Sequence, residues 1–189
     1  MQLARFRIII KTMEEKQMEK NNIVLIGMPT SGKSTVGVLI AKILGMDFLD
    51  TDIVIQQREN AKLNEIIAEH GIDEFIKKEE QAILSVSVSN AVIATGGSAV
   101  YSDVAMKYLA EKSTIIYLNV KLEDLNKRLK NIKERGVVLR PGESIEDMYE
   151  HRKKLYEKYA DITVEETGAS IEDTVLLVMN SLKNSFGER

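Results

Sequence analysis

At 189 residues and 44% hydrophobic, the chain is long enough for one domain with a substantial core and too short for two ordinary ones. Its 26 basic and 29 acidic side chains leave a formal net charge of −3, so there is no global positive excess to neutralise a nucleic-acid backbone or an anionic membrane. Cysteine is absent, which excludes disulfides and thiolate catalysis and makes the cytoplasm the expected compartment.

Residues 1–21 carry only the short apolar run Ile8-Ile9-Ile10 between basic residues, far below the ~20 apolar residues that span a bilayer. They are expected to form a mobile N-terminal extension, ahead of a natural start at Met13 or Met18. A single domain is expected over 22–189. Ile23-Val24-Leu25-Ile26 is a continuous apolar run ending in glycine, as suits a buried parallel strand. Val36, Leu39, Ile40, Ile43 and Leu44 then recur at spacings of three and four up to Gly45, which predicts a helix and its stop.

Between strand and helix lies Gly27-Met28-Pro29-Thr30-Ser31-Gly32-Lys33-Ser34-Thr35. Glycines at the first and sixth positions let backbone N–H groups turn inward on phosphates, and the helix N-terminus adds its positive end. Lys33 would bridge the β- and γ-phosphates of ATP, and the Ser34 hydroxyl would ligate Mg²⁺.

Further strands are expected at 47–50, 91–95, 114–119 and 161–164. Helices are expected at 52–58, 63–70, 72–88, 102–111, 122–132, 144–159 and 171–183. The alternation predicts a three-layer α/β/α fold on a parallel sheet of about five strands. One stretch breaks the pattern: Lys133–Glu143 sets Gly136, Pro141 and Gly142 among basic residues, and a glycine-hinged basic loop is a candidate lid.

Asp50-Thr51-Asp52 closes the second predicted strand, where ligands collect in open α/β sheets. Strand alternation would point Asp50 and Asp52 the same way. One could join Ser34 around Mg²⁺ while the other takes the proton of an attacking hydroxyl; alternatively, an aspartate here simply caps the next helix. Thr95-Gly96-Gly97-Ser98 follows the third strand, and paired glycines there permit close approach of a ligand to the backbone, or form a plain turn.

Taken together these motifs resemble the shikimate kinase family over nearly the whole span from Asn22 to Leu182. Carrying the resemblance further are Arg128 with Arg135 seven residues on, and Arg152-Lys153-Lys154-Leu155-Tyr156 before Ala160-Asp161. The resemblance implies a nucleoside-monophosphate-kinase-like fold and transfer of the ATP γ-phosphoryl group to a hydroxyl of shikimate. It makes Asp50 the Mg²⁺-side carboxylate, Asp52 the substrate ligand and base, and Gly96 and Gly97 a backbone cradle. Arg128 would lie near adenine, Arg135 would reach the phosphates from the lid, and Arg152 would grip the substrate carboxylate. Glu79 is the next candidate base.

Departures from the family pattern are Ile76, where an arginine pairing with the carboxylate is usual, Ser98 and Thr30 in place of glycines, and the lid sequence Arg135-Gly136-Val137-Val138. Ile76 would suit an acceptor that presents an apolar part to it. Other readings are a related kinase with a different hydroxylated acceptor, a nucleoside monophosphate kinase, and an ATP-binding protein without an acceptor site. A switch GTPase is excluded, since neither Asp-x-x-Gly after the loop nor Asn-Lys-x-Asp occurs. A small-molecule substrate, no nucleic acid, no membrane and a monomer are expected.

Overall fold

The computed structural model describes residues 20–129, 137–166 and 170–187. Five parallel strands form one sheet: β1 (Asn22–Gly27), β2 (Asp47–Asp50), β3 (Ala91–Ala94), β4 (Ser113–Asn119) and β5 (Ile162–Glu165), in the order β2-β3-β1-β4-β5. β1 lies at the centre with all six residues buried, which is why its sequence is continuously apolar rather than alternating. Its register sets Leu25 beside Ala94 of β3 and Gly27 beside Leu118 of β4.

Eight α-helices are described: α1 (Lys33–Leu44), α2 (Thr51–Glu59), α3 (Leu63–His70), α4 (Ile72–Leu84), α5 (Asp103–Lys112), α6 (Leu122–Arg128), α7 (Ile145–Tyr159) and α8 (Ile171–Gly187). Because strand side chains alternate between faces, β1 feeds two cores. Ile23 and Leu25 pack with α1 and α8, through Val36, Ile40, Val178 and Met179. Val24 and Ile26 pack with α5, α6 and α7, through Met106, Leu125, Met148 and Tyr156. A third, smaller cluster of Ile55, Ile66, Phe75, Ala82 and Val138 gathers α2, α3 and α4 beside the C-terminal strand ends.

The predicted strands and helices are all present within the described residues, with informative differences at their ends. The helix expected to reach Val88 stops at Leu84, where the Ser85 hydroxyl donates to the Ala82 carbonyl at 2.7 Å and satisfies one of the orphan acceptors of a helix terminus. A short 3₁₀ turn at Ala99–Tyr101, absent from the sequence reading, joins the double glycine to α5. The second strand ends at Asp50 as expected, but Thr51 already opens α2, so strand alternation does not relate Asp52 to Asp50. The expected N-terminal extension, apart from Lys20 and Asn21, lies outside the described residues, as do 133–136 of the candidate lid, Arg135 included. Among the described residues no helix is long and apolar enough to cross a membrane.

Candidate active site

The C-terminal ends of β1, β2 and β3 open into a cavity of about 610 Å³ walled by Pro29, Thr30, Gly32 to Thr35, Asp52 and Thr95 to Ser98, closed by Arg128 and Arg152. This is the crevice where open α/β sheets bind ligands. The loop after β1 needs its first glycine: Gly27 has φ +148°, and a Cβ there would stand 2.7 Å from the Leu118 carbonyl oxygen on the neighbouring strand. Met28 turns its side chain wholly into the core and Ser31 is buried, so this loop is anchored from below.

Lys33, 7% exposed, donates to the carbonyls of Gly27 at 2.9 Å and Met28 at 2.8 Å and to the Ser31 hydroxyl at 3.4 Å. Its ammonium therefore sits inside the curl of the loop, where phosphates would lie. Burial lowers its pKa to about 8, against the opposing pull of Asp52 and Asp50.

Asp50 caps the helix after β2 and also meets Ser34. One carboxylate oxygen accepts the Asp52 N–H at 3.0 Å and caps α2; the other accepts the Ser34 hydroxyl at 2.6 Å. Asp52, in the first turn of α2, is raised to a pKa of about 6, first by burial and then by the like charge of Asp50, while Lys33 pulls it back. The intervening Thr51 is fully buried and accepts the Gly96 N–H at 3.1 Å, which ties the β2 end to the double glycine.

Both glycines mark close approaches. A Cβ on Gly96 would fall 2.1 Å from Glu79 Oε1 and 2.8 Å from Asp52 Oδ1; one on Gly97 would fall 2.9 Å from Pro29 and 3.2 Å from Arg152 Nη1. Two carboxylates and a guanidinium therefore crowd against one bare stretch of backbone. Glu79, 1% exposed, is raised to a pKa of about 8 by burial, against the hydrogen bond of 2.6 Å that the Ser98 hydroxyl donates to its Oε2. Its Oε1 finds no partner among the described residues.

Arg152 is completely buried. Its Nε donates to the Tyr101 hydroxyl at 3.0 Å, its Nη2 donates to the Val138 carbonyl, and its Nη1 has no partner among the described residues. Tyr156, one turn further along α7, donates to the Gly97 carbonyl at 2.6 Å and stacks on Tyr117. On the opposite wall Arg128 forms a two-pronged pair with Glu166, at 3.0 and 2.9 Å, and reaches the Thr30 carbonyl at 3.3 Å.

Ile76 is not on the described wall of this cavity. It packs half-buried into the apolar cluster around Ile55, Phe75 and Val138, of which Phe75 and Val138 do reach the cavity. Thr51, Tyr101, Tyr156 and Glu166 are participants that the sequence reading gave no role. Tyr156 stands four residues after Arg152, on the same helix face, and Glu166 follows a strand's C-terminal end; both placements were signals in plain view.

The shikimate kinase family model matches residues 29–183. The chain belongs to this family. It is 35% identical to a shikimate kinase of Histophilus somni over 172 residues, covering 87% of this chain and 98% of that protein. A solved shikimate kinase from Aquifex aeolicus, 33% identical, superposes with a TM-score of 0.76 over 87% of this chain and 97% of that one. Another from Acinetobacter baumannii, in complex with shikimate, is 25% identical with a TM-score of 0.82 over 92% and 98%. The human threonine synthase-like 1 protein is also related, 36% identical over 165 residues that make up 86% of this chain but 22% of that protein. Family membership makes the chain a phosphotransferase with an alcohol group as acceptor, on the P-loop kinase fold that the sheet order displays. It favours a metabolite kinase over a nucleoside monophosphate kinase or a non-enzymatic nucleotide binder.

Proposed function

We propose that the protein phosphorylates shikimate with ATP, as a monomeric cytoplasmic enzyme whose single catalytic domain spans 22–189 and whose segment 133–143 closes over the phosphates. Arg152 carries this reading. A guanidinium buried to 0% exposure with Nη1 unpartnered among the described residues is costly unless an anion completes it. That anion must share a cavity with a phosphate-loop lysine and a carboxylate of raised pKa, which asks for a small molecule bearing both a carboxylate and a hydroxyl. The acceptor carboxylate docks on Arg152, the side-chain-free Gly96-Gly97 backbone lets the ring approach closely, and a hydroxyl meets Asp52.

In the transfer, the acceptor hydroxyl gives its proton to Asp52 while its oxygen forms the new bond to the γ-phosphorus, and the bond from that phosphorus to the bridging oxygen breaks, releasing ADP. Lys33 offsets negative charge on the moving group, joined by Arg135 from the lid. Backbone of Gly27 to Thr35 cradles the phosphates, and Arg128 borders the nucleotide with Glu166 holding it in place. Ser34 and Asp50 present a hydroxyl and a carboxylate oxygen 2.6 Å apart, the hard donor set that Mg²⁺ takes alongside phosphates and waters. Mg²⁺ held by Ser34 and Asp50 would supply positive charge that offsets the negative charge of the phosphates. Glu79 lies buried behind Gly96, against the backbone on which the acceptor would rest.

Coupled ADP release across shikimate, quinate, gluconate and the nucleoside monophosphates tests the reading. Shikimate should give the highest kcat/KM of the set. A higher value for any acceptor without a carboxylate would overturn it.

A further inference from the structure

We propose that Tyr101 is a positioning residue for acceptor recognition: it holds Arg152 so that the Nη1 end of the guanidinium, and no other, faces the cavity. The inference rests on the reading of Arg152 as the anion-binding group. Arginine has a long side chain with several rotatable bonds, and a useful anion contact requires its planar fork to be held at one angle. That angle is fixed by three contacts from outside α7. The Tyr101 hydroxyl takes the Nε proton at 3.0 Å, the Tyr101 ring lies with its centroid 5.0 Å from the guanidinium carbon, and the Val138 carbonyl takes a proton of Nη2.

Tyr101 therefore touches the arginine with both its polar tip and its π-face. The tyrosine is itself held. It ends the 3₁₀ turn that begins at Ala99, immediately after Gly96-Gly97-Ser98, so its placement is tied to the cradle on which the acceptor would rest. Its ring contacts the cluster of Phe75 and Val138 on one side, and the His151 ring lies 5.6 Å away, tilted by 48°. With Nε and Nη2 occupied, the remaining unpartnered nitrogen among the described contacts is Nη1, 3.2 Å from the point where a Gly97 Cβ would be. Tyr101 thus selects where a carboxylate can sit relative to the Gly97 backbone, without touching either substrate's reacting atoms.

Tyr101→Phe keeps the ring and removes the oxygen that Nε needs. Steady-state kinetics with shikimate and ATP should show the shikimate KM raised roughly tenfold, with kcat and the ATP KM within about twofold of wild type. Tyr101→Leu, which removes the ring as well, should raise the shikimate KM further. Arg152→Lys serves as the reference and should raise the shikimate KM at least as much as either. A merely structural role would instead move the ATP KM and the melting temperature together with the shikimate KM. If Arg152→Lys weakens shikimate but Tyr101→Phe leaves its KM within about twofold, the positioning role is wrong and the anion-site reading stands. Absence of wild-type turnover on shikimate would bring down both.

Discussion

The cavity has two halves that differ in how they are made. The phosphate half is one contiguous loop between β1 and α1, built from backbone, and its buried lysine is satisfied by carbonyls of the same loop at 2.9 and 2.8 Å. The acceptor half draws Asp52, Glu79, Gly96-Gly97 and Arg152 from four separate segments, and two of its buried side chains keep an atom unpartnered among the described residues. A half whose buried charge is already satisfied by its own backbone can be general for nucleotides. A half with buried, unfinished polar groups carries specificity, because only a ligand of matching chemistry removes the penalty.

Breaking the phosphate half should cost most in rate and least in fold. Lys33→Ala is expected to lower kcat by about 10²-fold or more while leaving thermal unfolding nearly unchanged, since the loop's shape depends on Gly27 and the burial of Met28. Retained turnover within about tenfold would remove Lys33 from the chemistry.

On the acceptor side, Asp52→Asn should lower kcat by roughly 10²-fold. The pH profile sharpens the same point. In wild type, kcat/KM should rise as pH passes about 6, where Asp52 loses its proton and becomes able to accept one, and fall above about 8, where Lys33 loses its charge. Asn at position 52 should abolish the acid limb and keep the alkaline one. An unchanged acid limb would move the base elsewhere, with Glu79 beside it as the next candidate.

Glu79 offers a stability test confined to the acceptor half. Its folded pKa is raised from 4.5 to about 8, so the stability its proton contributes is fully present below 4.5 and is lost as pH rises through about 8. Glu79→Gln carries no such titration. Urea unfolding should find the variant close to wild type at the acid end and increasingly more stable than wild type toward the alkaline end; parallel curves would contradict a buried, protonated Glu79. The smallest effect belongs to Thr30, a β-branched residue at φ 64° whose hydroxyl has no partner among the described residues. Thr30→Gly should gain about 0.5–1 kcal/mol in urea unfolding, the relief of left-handed strain less the added chain entropy.

The same contrast explains what could be read from the sequence. The strand-glycine-helix order around Gly27 and Lys33 is local, and both it and the five-strand sheet followed from apolar runs and their punctuation. Glu79 was legible only as the next candidate base, and its burial beside Phe75, Ala82 and Ile83 emerged with the fold. The partners of Arg152 and Arg128 were not legible, because Tyr101 is 51 positions from Arg152 and Glu166 is 38 from Arg128, and only the tertiary fold brings them together. The Asp50–Asp52 geometry was read with strand periodicity one residue too far, although the capping alternative pointed to the helix start that is found.

Phosphorus NMR of the reaction mixture tests the central claim most directly. With ATP, Mg²⁺ and shikimate, the γ-phosphate signal should be replaced by that of a phosphate monoester in step with ADP formation, and Arg152→Met should suppress the monoester while leaving ATP binding intact. Loss of the γ-phosphate to inorganic phosphate alone, at a rate indifferent to shikimate, would contradict it.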